Sequence, residues 1–292
     1  MTRPYLVLYH ANCNDGFGAA YAAWCDLGDS ADYVPAQYGM TTPPQVDGYS
    51  GVYVVDFSFS RDVLLDMAKH VDHLTIIDHH RTAERALAGI EGEAENIEAI
   101  FDQCHSGAVL AWDYFHTGTT PPLLLLYVQD RDLWRKALPY NDEVTLALTS
   151  RPQTFEEWNQ LAAAGEEGIA TLAQEGTIIR RYVDQKTTYL VERPPRARLF
   201  GYDVPCVNCP GFLASDVGHL LGEGEPFAAT YTLTPSRVIV SLRSRPEGIN
   251  VAALAERAGG GGHFHAAGFS FPLDVDEFPL DGFDVPARLV AV

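Results

Sequence analysis

Leu74-Thr-Ile-Ile-Asp78-His79-His80-Arg81 joins a short apolar run to a carboxylate, two imidazoles and a guanidinium. Four apolar or β-branched residues ending in such a cluster predict a buried strand with polar groups at its C-terminal tip. In open α/β folds that tip is where ligands bind. A lone Asp-His-His triplet recurs by chance. Here it is accompanied by His10 and Asp15 after the apolar segment Tyr5–Tyr9, by Asp56 after Val52–Val55, and by Asp130 and Asp132 closing the apolar element that includes Leu123–Val128. All four clusters are read as strand-end sites. A parallel sheet brings such ends side by side, so groups distant in sequence converge on one crevice.

Working outward, strand-like and helix-like stretches alternate. Gly16–Trp24 is small and apolar, Val63–Ala68 is periodic, and Ser106–Phe115 reads as a helix. Strands alternating with helices predict an α/β fold with a mainly parallel sheet flanked by helices. From about Thr154 to Tyr189 the pattern is helical and charged, until Pro194-Pro195 ends it. Beyond lies a different texture: strand-like Phe227–Leu233 and Val238–Leu242 around Pro235-Ser236, a helix from Val251 to Ala258, four glycines, and a last strand at Phe269. The expected organisation is a first α/β domain over 1–155, a helical connector over 156–193, and a second, smaller α/β domain over 194–292.

The chain has 292 residues, with 20 Lys plus Arg against 39 Asp plus Glu, a formal charge of −19. Such acidity disfavours long nucleic acid, whose non-specific binding depends on neutralising many phosphates together. A phosphorylated substrate is therefore expected to be small, with local cations offsetting the field. Solubility alone is the plainer reading of the acidity. The five scattered cysteines do not resemble a secreted disulfide framework. Cys206-Val-Asn-Cys209 has zinc-like spacing but no second ligand pair near it. The chain opens on a strand rather than a leader-like segment, and no apolar stretch approaches spanning length, so a cytoplasmic location without membrane contact is expected. No Gly-x-Gly-x-x-Gly follows the first strand, which disfavours a dehydrogenase.

Clustered carboxylates repel one another unless a cation holds them, and mixed Asp and His donors suit Mn²⁺ or another borderline divalent ion better than Ca²⁺. Each residue also has a plainer role. Asp56 could cap the next helix, Asp78 could orient His79, and His10 could be an ordinary loop histidine. Asp132 is read as a structural partner of Arg131 or Arg135.

His10–Ala20, Val54-Val-Asp-Phe-Ser58, Asp78-His79-His80, Asp130, Ser241–Ser244, Asn250–Ala255 and Gly259–Gly268 together resemble the DHH phosphoesterase superfamily, with its associated C-terminal domain. That superfamily includes RecJ-type exonucleases, nanoRNases, cyclic-dinucleotide phosphodiesterases and exopolyphosphatases. The resemblance implies metal ligands His10, Asp15, Asp56, His79 and Asp130, with Asp56 bridging two ions. It implies His80 and Asp56 as catalytic residues, and Arg243, Gly260, Gly261, Gly262 and His263 as substrate-binding residues. The implied cofactor is Mn²⁺, as one or two ions, with Mg²⁺ or Co²⁺ as substitutes. The implied reaction is hydrolysis of phosphodiester bonds in short oligonucleotides or dinucleotides by a metal-activated water, releasing nucleoside monophosphates. The alternatives are a phosphomonoesterase or exopolyphosphatase, and a weakened nucleotide-binding module. A homodimer is left open. One departure stands out: the family's first motif carries two aspartates, whereas here Asp15 is alone, preceded by Asn12, Cys13 and Asn14. The His-x-x-Cys-x-Asp-Gly opening is similar to that of an exopolyphosphatase-related subgroup.

Overall fold

The computed structural model describes residues 3–37, 40 and 44–273. The end of the expected second domain, 274–292, lies outside them. The chain divides into two compact units, Met1–Arg181 and Tyr182–Val292.

The first unit runs β1 (Tyr5–His10), α1 (Asn14–Leu27), β2 (Ala31–Ala36), β3 (Gly51–Val55), α2 (Arg61–Ala68), β4 (His73–Asp78), α3 (Arg81–Leu87), β5 (Ile97–Phe101), α4 (Gly107–Phe115), α5 (Leu123–Asp132), α6 (Asn141–Ser150) and α7 (Phe155–Ala163). The long α8 (Gly165–Val191) crosses the division. Its five strands are all parallel, in the order β2-β1-β3-β4-β5. Side chains alternate between two buried faces. Leu6, Leu8, Val52, Val54, Leu74 and Ile76 pack with α2 and α3, including Leu64, Met67 and Leu87. Val7, Val55 and Ile77 pack on the other face against α1, α4 and α5. A sheet covered on both sides needs near-continuous apolar strands, and the central strands read that way.

The edges do not. β2 carries Asp32 and Pro35, and β5 carries Glu98. An edge strand has no ladder partner on one side, so it tolerates proline and charge. That tolerance hides both strands from a hydrophobic reading.

Two expectations change. Leu123–Asp132 is a helix, not a strand, so Asp130 and Asp132 sit at a helix C-terminus. A short leucine run fits a buried strand or a buried helix equally well; here Pro122 stands at its N-cap. The stretch read as a connector is also not independent. Trp158, Leu161, Ile169 and Leu172 are buried in the first unit's core.

The second unit contains β6 (Arg196–Leu199), β7 (Tyr202–Asn208), α9 (Ala214–Leu221), β8 (Ala228–Leu233), β9 (Arg237–Arg243), α10 (Val251–Arg257), β10 (Gly261–Gly262) and β11 (Ala266–Pro272). Its sheet order is β10-β11-β9-β8-β7-β6, antiparallel except between β7 and β8. Phe227, Val240, Leu242, Val251, Leu254 and Phe269 build its own core. Among the described residues, no helix is long and apolar enough to cross a membrane.

Candidate metal centre

The strand order reverses at β1. The chain leaves β1 for β2 on one side, then returns to lay β3 on the other. Connections from the two strands leave in opposite directions and open a crevice at their C-terminal ends. His10 is the last residue of β1, and Asp56 follows the last residue of β3. Asp78 ends β4 and is followed by His79 and His80; Asp15 lies in the first turn of α1.

These groups meet. Asp56 is 1 % exposed, with Oδ2 3.5 Å from His10 Nδ1 and Oδ1 3.2 Å from His79 Nε2. His79 Nε2 also lies 3.5 Å from Asp15 Oδ2 and 3.5 Å from Asp132 Oδ2. Donor atoms of Asp15, Asp56 and His79 fall within 4.8 Å of one another, as do those of His10, Cys13 and Asp56. Asp56 is common to both groups.

The backbone is bent to achieve this. Asp56 has φ 53°, in the left-handed region, while its N–H donates to the Ile77 carbonyl at 2.8 Å. Aspartate tolerates that region better than most residues, and such strain of about 1–3 kcal/mol is characteristic of functional sites. Gly107, opening α4, leaves room for it: a Cβ there would stand 2.4 Å from the Asp56 Cβ. The same helix start supports Asp15, whose oxygens accept from Gly107 N–H at 2.7 Å and Ala108 N–H at 3.0 Å. A carboxylate at a helix N-terminus is favoured by the unpaired amides and the helix dipole. Gln129 joins the same turn by accepting from Ser106 N–H at 3.1 Å.

Asp78 serves a different purpose. Its Oδ1 faces His80 Nδ1 at 2.7 Å and accepts the His79 N–H at 2.7 Å, while Oδ2 accepts from Ser58 Oγ at 2.7 Å. It therefore orients the His80 ring, rather than the His79 ring as expected from the sequence.

The two aspartates near the end of α5 are not placed as expected. Asp130 accepts from the Ala137 and Leu138 amides at 3.0 and 3.1 Å, closing the loop after α5. Asp132, read as a partner for arginine, is the one brought to His79. On a helix, positions two apart face different ways, so only one of the pair can point into the crevice. Had Leu123–Asp132 been recognised as helical, that choice would have been explicit. Gly107 and Gln129 carried no comparable sequence signal.

Buried carboxylates and imidazoles shift one another strongly here. Burial alone would raise Asp56, but bonds and charges from His10 and His79 hold it far below the usual carboxylate range. Burial would lower His79, yet Asp56, Asp132 and Asp15 outweigh it and push it up to about 11. His10 is raised in the same way, chiefly by Asp56. Burial, Asp56 and Asp132 push Asp15 well up, and burial raises Asp132. Burial and the same carboxylates lift the Cys13 thiol. His79 Nε2 can donate one proton at most, and three carboxylate oxygens crowd it. Asp56 Oδ1 is buried without a well-aligned hydrogen-bond donor. Such an oxygen is costly unless a cation meets it. The donor set of carboxylates and imidazoles fits a divalent transition metal.

The remaining candidates lie in the second unit. Arg243 ends β9, donating to Ser215 Oγ at 2.8 Å and to the Leu242 carbonyl at 2.9 Å. Gly260, Gly261 and Gly262 lead into the β10–β11 hairpin, with His263 at its turn donating its N–H to the Ala266 carbonyl at 2.8 Å. Gly262 has φ 139° and no room for a Cβ beside the Ala266 carbonyl, so the hairpin itself accounts for that glycine.

Comparison with known proteins agrees with this architecture. Residues 218–279 match the DHHA1 domain family. An uncharacterised protein, R106, of Acanthamoeba polyphaga mimivirus is 27 % identical over 91 % of this chain and 67 % of its own length. The fold is similar to that of RecJ from Thermus thermophilus, solved with Mn²⁺, at TM-score 0.50 and 16 % identity, covering 94 % of this chain and 50 % of the RecJ chain. It is also similar to the DHH domain of PF0399, a member of a family of ribosomal proteins, at TM-score 0.51 and 14 % identity, over 91 % of this chain and 82 % of that one. This chain thus spans half the length of RecJ.

Proposed function

We propose that this chain, whose residues 218–279 match the DHHA1 domain family, is a metal-dependent phosphoesterase of the DHH superfamily that cleaves phosphodiester bonds in short oligonucleotides or dinucleotides. The observation that carries the reading is Asp56, buried at the switch point of the sheet, with one oxygen facing His10 and the other facing His79. A carboxylate so placed is suited to join two cation positions. His79, Asp15, Asp56 and Asp132 would hold one divalent ion, for which Mn²⁺ is the proposed occupant. The chemistry available from such an ion is polarisation of a phosphoryl oxygen and activation of water.

The protein groups around it have separable tasks. Asp15, anchored on the α4 amides, keeps its carboxylate turned to His79. Asp78 and Ser58 hold the His80 ring, the group proposed to meet the scissile phosphate or its leaving oxygen. Arg243, His263 and the amides of Gly260–Gly262 are proposed to bind substrate phosphate, a task suited to a guanidinium and to backbone N–H groups. Asp132 rather than Asp130 is proposed as the ligand, because its Oδ2 lies 3.5 Å from His79 Nε2 while Asp130 accepts from the Ala137 and Leu138 amides.

The test is direct. Chelator-stripped protein is given Mn²⁺ and a panel of di-, tri- and longer oligonucleotides, cyclic dinucleotides, phosphomonoesters and polyphosphate. Metal-dependent release of nucleoside monophosphates from the shortest substrates is expected. Preference for a monoester or polyphosphate would replace the proposed substrate. Tight nucleotide binding with no turnover under any divalent ion would leave a binding module instead.

A further inference from the structure

We propose that Cys13 is a thiolate ligand of a cation position formed with His10 and Asp56. The proposal rests on the metal-dependent reading above and concerns the side of Asp56 that faces His10. Donor atoms of His10, Cys13 and Asp56 lie within 4.8 Å of one another. Cys13 stands at the N-cap of α1, with its sulfur facing the Gly16 amide. Asn12 just before it, at φ 57°, turns the chain between His10 and α1. Independently of the cysteine, the carboxylate it approaches is 1 % exposed, and its oxygen on this side, Oδ2, lies 3.5 Å from His10 Nδ1.

The consequence is a difference between two positions that share Asp56. Asp15, His79 and Asp132 supply oxygen and nitrogen donors. The Cys13 side supplies sulfur, nitrogen and oxygen. Thiolate donors favour softer ions, so that side should take Zn²⁺, Fe²⁺ or Co²⁺ ahead of Mn²⁺ or Mg²⁺. Binding displaces the thiol proton to solvent, as at any cysteine metal site.

Cobalt is the probe. The full chain, stripped of metal, is titrated with Co²⁺ while bound metal is measured by elemental analysis and thiolate-to-cobalt charge transfer by near-ultraviolet absorption. The wild type should show the band. Cys13→Ser should lose the band and part of the bound cobalt while keeping the ion held by Asp15, Asp56, His79 and Asp132. Cys13→Asp should recover binding without the band and shift preference towards Mn²⁺. A second reading uses the wild type alone: bound cobalt should protect Cys13 from alkylation, followed by peptide mass mapping. A band that persists in Cys13→Ser, cobalt bound with no band in the wild type, or equal alkylation of Cys13 with and without cobalt would each overturn the proposal. Failure of the wild type to bind cobalt at all would overturn the metal reading itself, and this proposal with it.

Discussion

Asp56 and Asp132 are the residues on which the proposed chemistry turns, and they can be told apart from Asp130. Asp56→Asn keeps a side chain that tolerates positive φ but removes the charge shared by His10 and His79, so metal and turnover should both be lost with the fold intact. Asp132→Asn should weaken metal binding by at least about ten-fold. Asp130→Asn weakens two charge-assisted bonds to amides and should cost stability of about 1–2 kcal/mol without loss of metal. Elemental analysis and urea unfolding of the three variants decide the assignment; loss of metal in Asp130→Asn alone would reverse it. The protons in the site make a further prediction. The His79 pKa is raised to about 11 in the metal-free protein, so the ring is charged at neutral pH. The stability this adds is fully present below the ordinary histidine value and is lost as pH rises through the raised one. A metal needs the neutral ring. Binding near neutral pH should therefore release protons and tighten as pH rises, which calorimetry in buffers of different ionisation heat will read. Binding with no proton release would contradict the reading.

Helix α4 shows how one element serves the site without contributing a ligand. Its first two amides hold Asp15, and its opening glycine admits Asp56. Gly107→Ala would force a methyl group against the Asp56 side chain. The expected cost is about 1–3 kcal/mol from overpacking, with a fall in metal content beyond what destabilisation alone explains. Thermal unfolding and metal analysis of the variant check this; an unchanged metal content would show that Asp56 can yield without harm. Helix α5 makes the complementary point. Its leucines read equally well as strand, on which Asp130 and Asp132 would share a face, so the pattern made no choice between them and Asp130 was expected from the family resemblance alone. The hydrophobic pattern was informative where strands are covered on both faces, as in β1, β3 and β4, and silent at the edges, β2 and β5.

The charge of −19 and the division into two units bear on substrate and on labour. An acidic molecule gains little from a long polyanion, so efficiency should fall as oligonucleotides lengthen at fixed salt. Equal or rising kcat/KM from dinucleotide to long single strand would refute the size limit. Arg243 belongs to the second unit, so Arg243→Ala should leave metal content unchanged. It should lower kcat/KM about ten- to a hundred-fold through loss of a charge-assisted phosphate contact. Metal loss in that variant, with circular dichroism unchanged, would refute the assignment of Arg243 to substrate.

The motifs themselves were legible from the amino-acid order: a parallel α/β unit, a smaller second sheet, and His10, Asp15, Asp56 and His79 as polar groups at the start or end of apolar elements. Local pattern suffices there, because a strand buried on both faces must be apolar until it meets solvent or a ligand. Pattern could not choose between Asp130 and Asp132, show that Asp78 braces His80, or bring Cys13 to His10 and Asp56. Those outcomes depend on helix phase, on a backbone bent into the left-handed region at Asp56, and on the strand order that sets β1 beside β3. Each is a relation between segments far apart in the chain, and only packing the two faces of the sheet decides it.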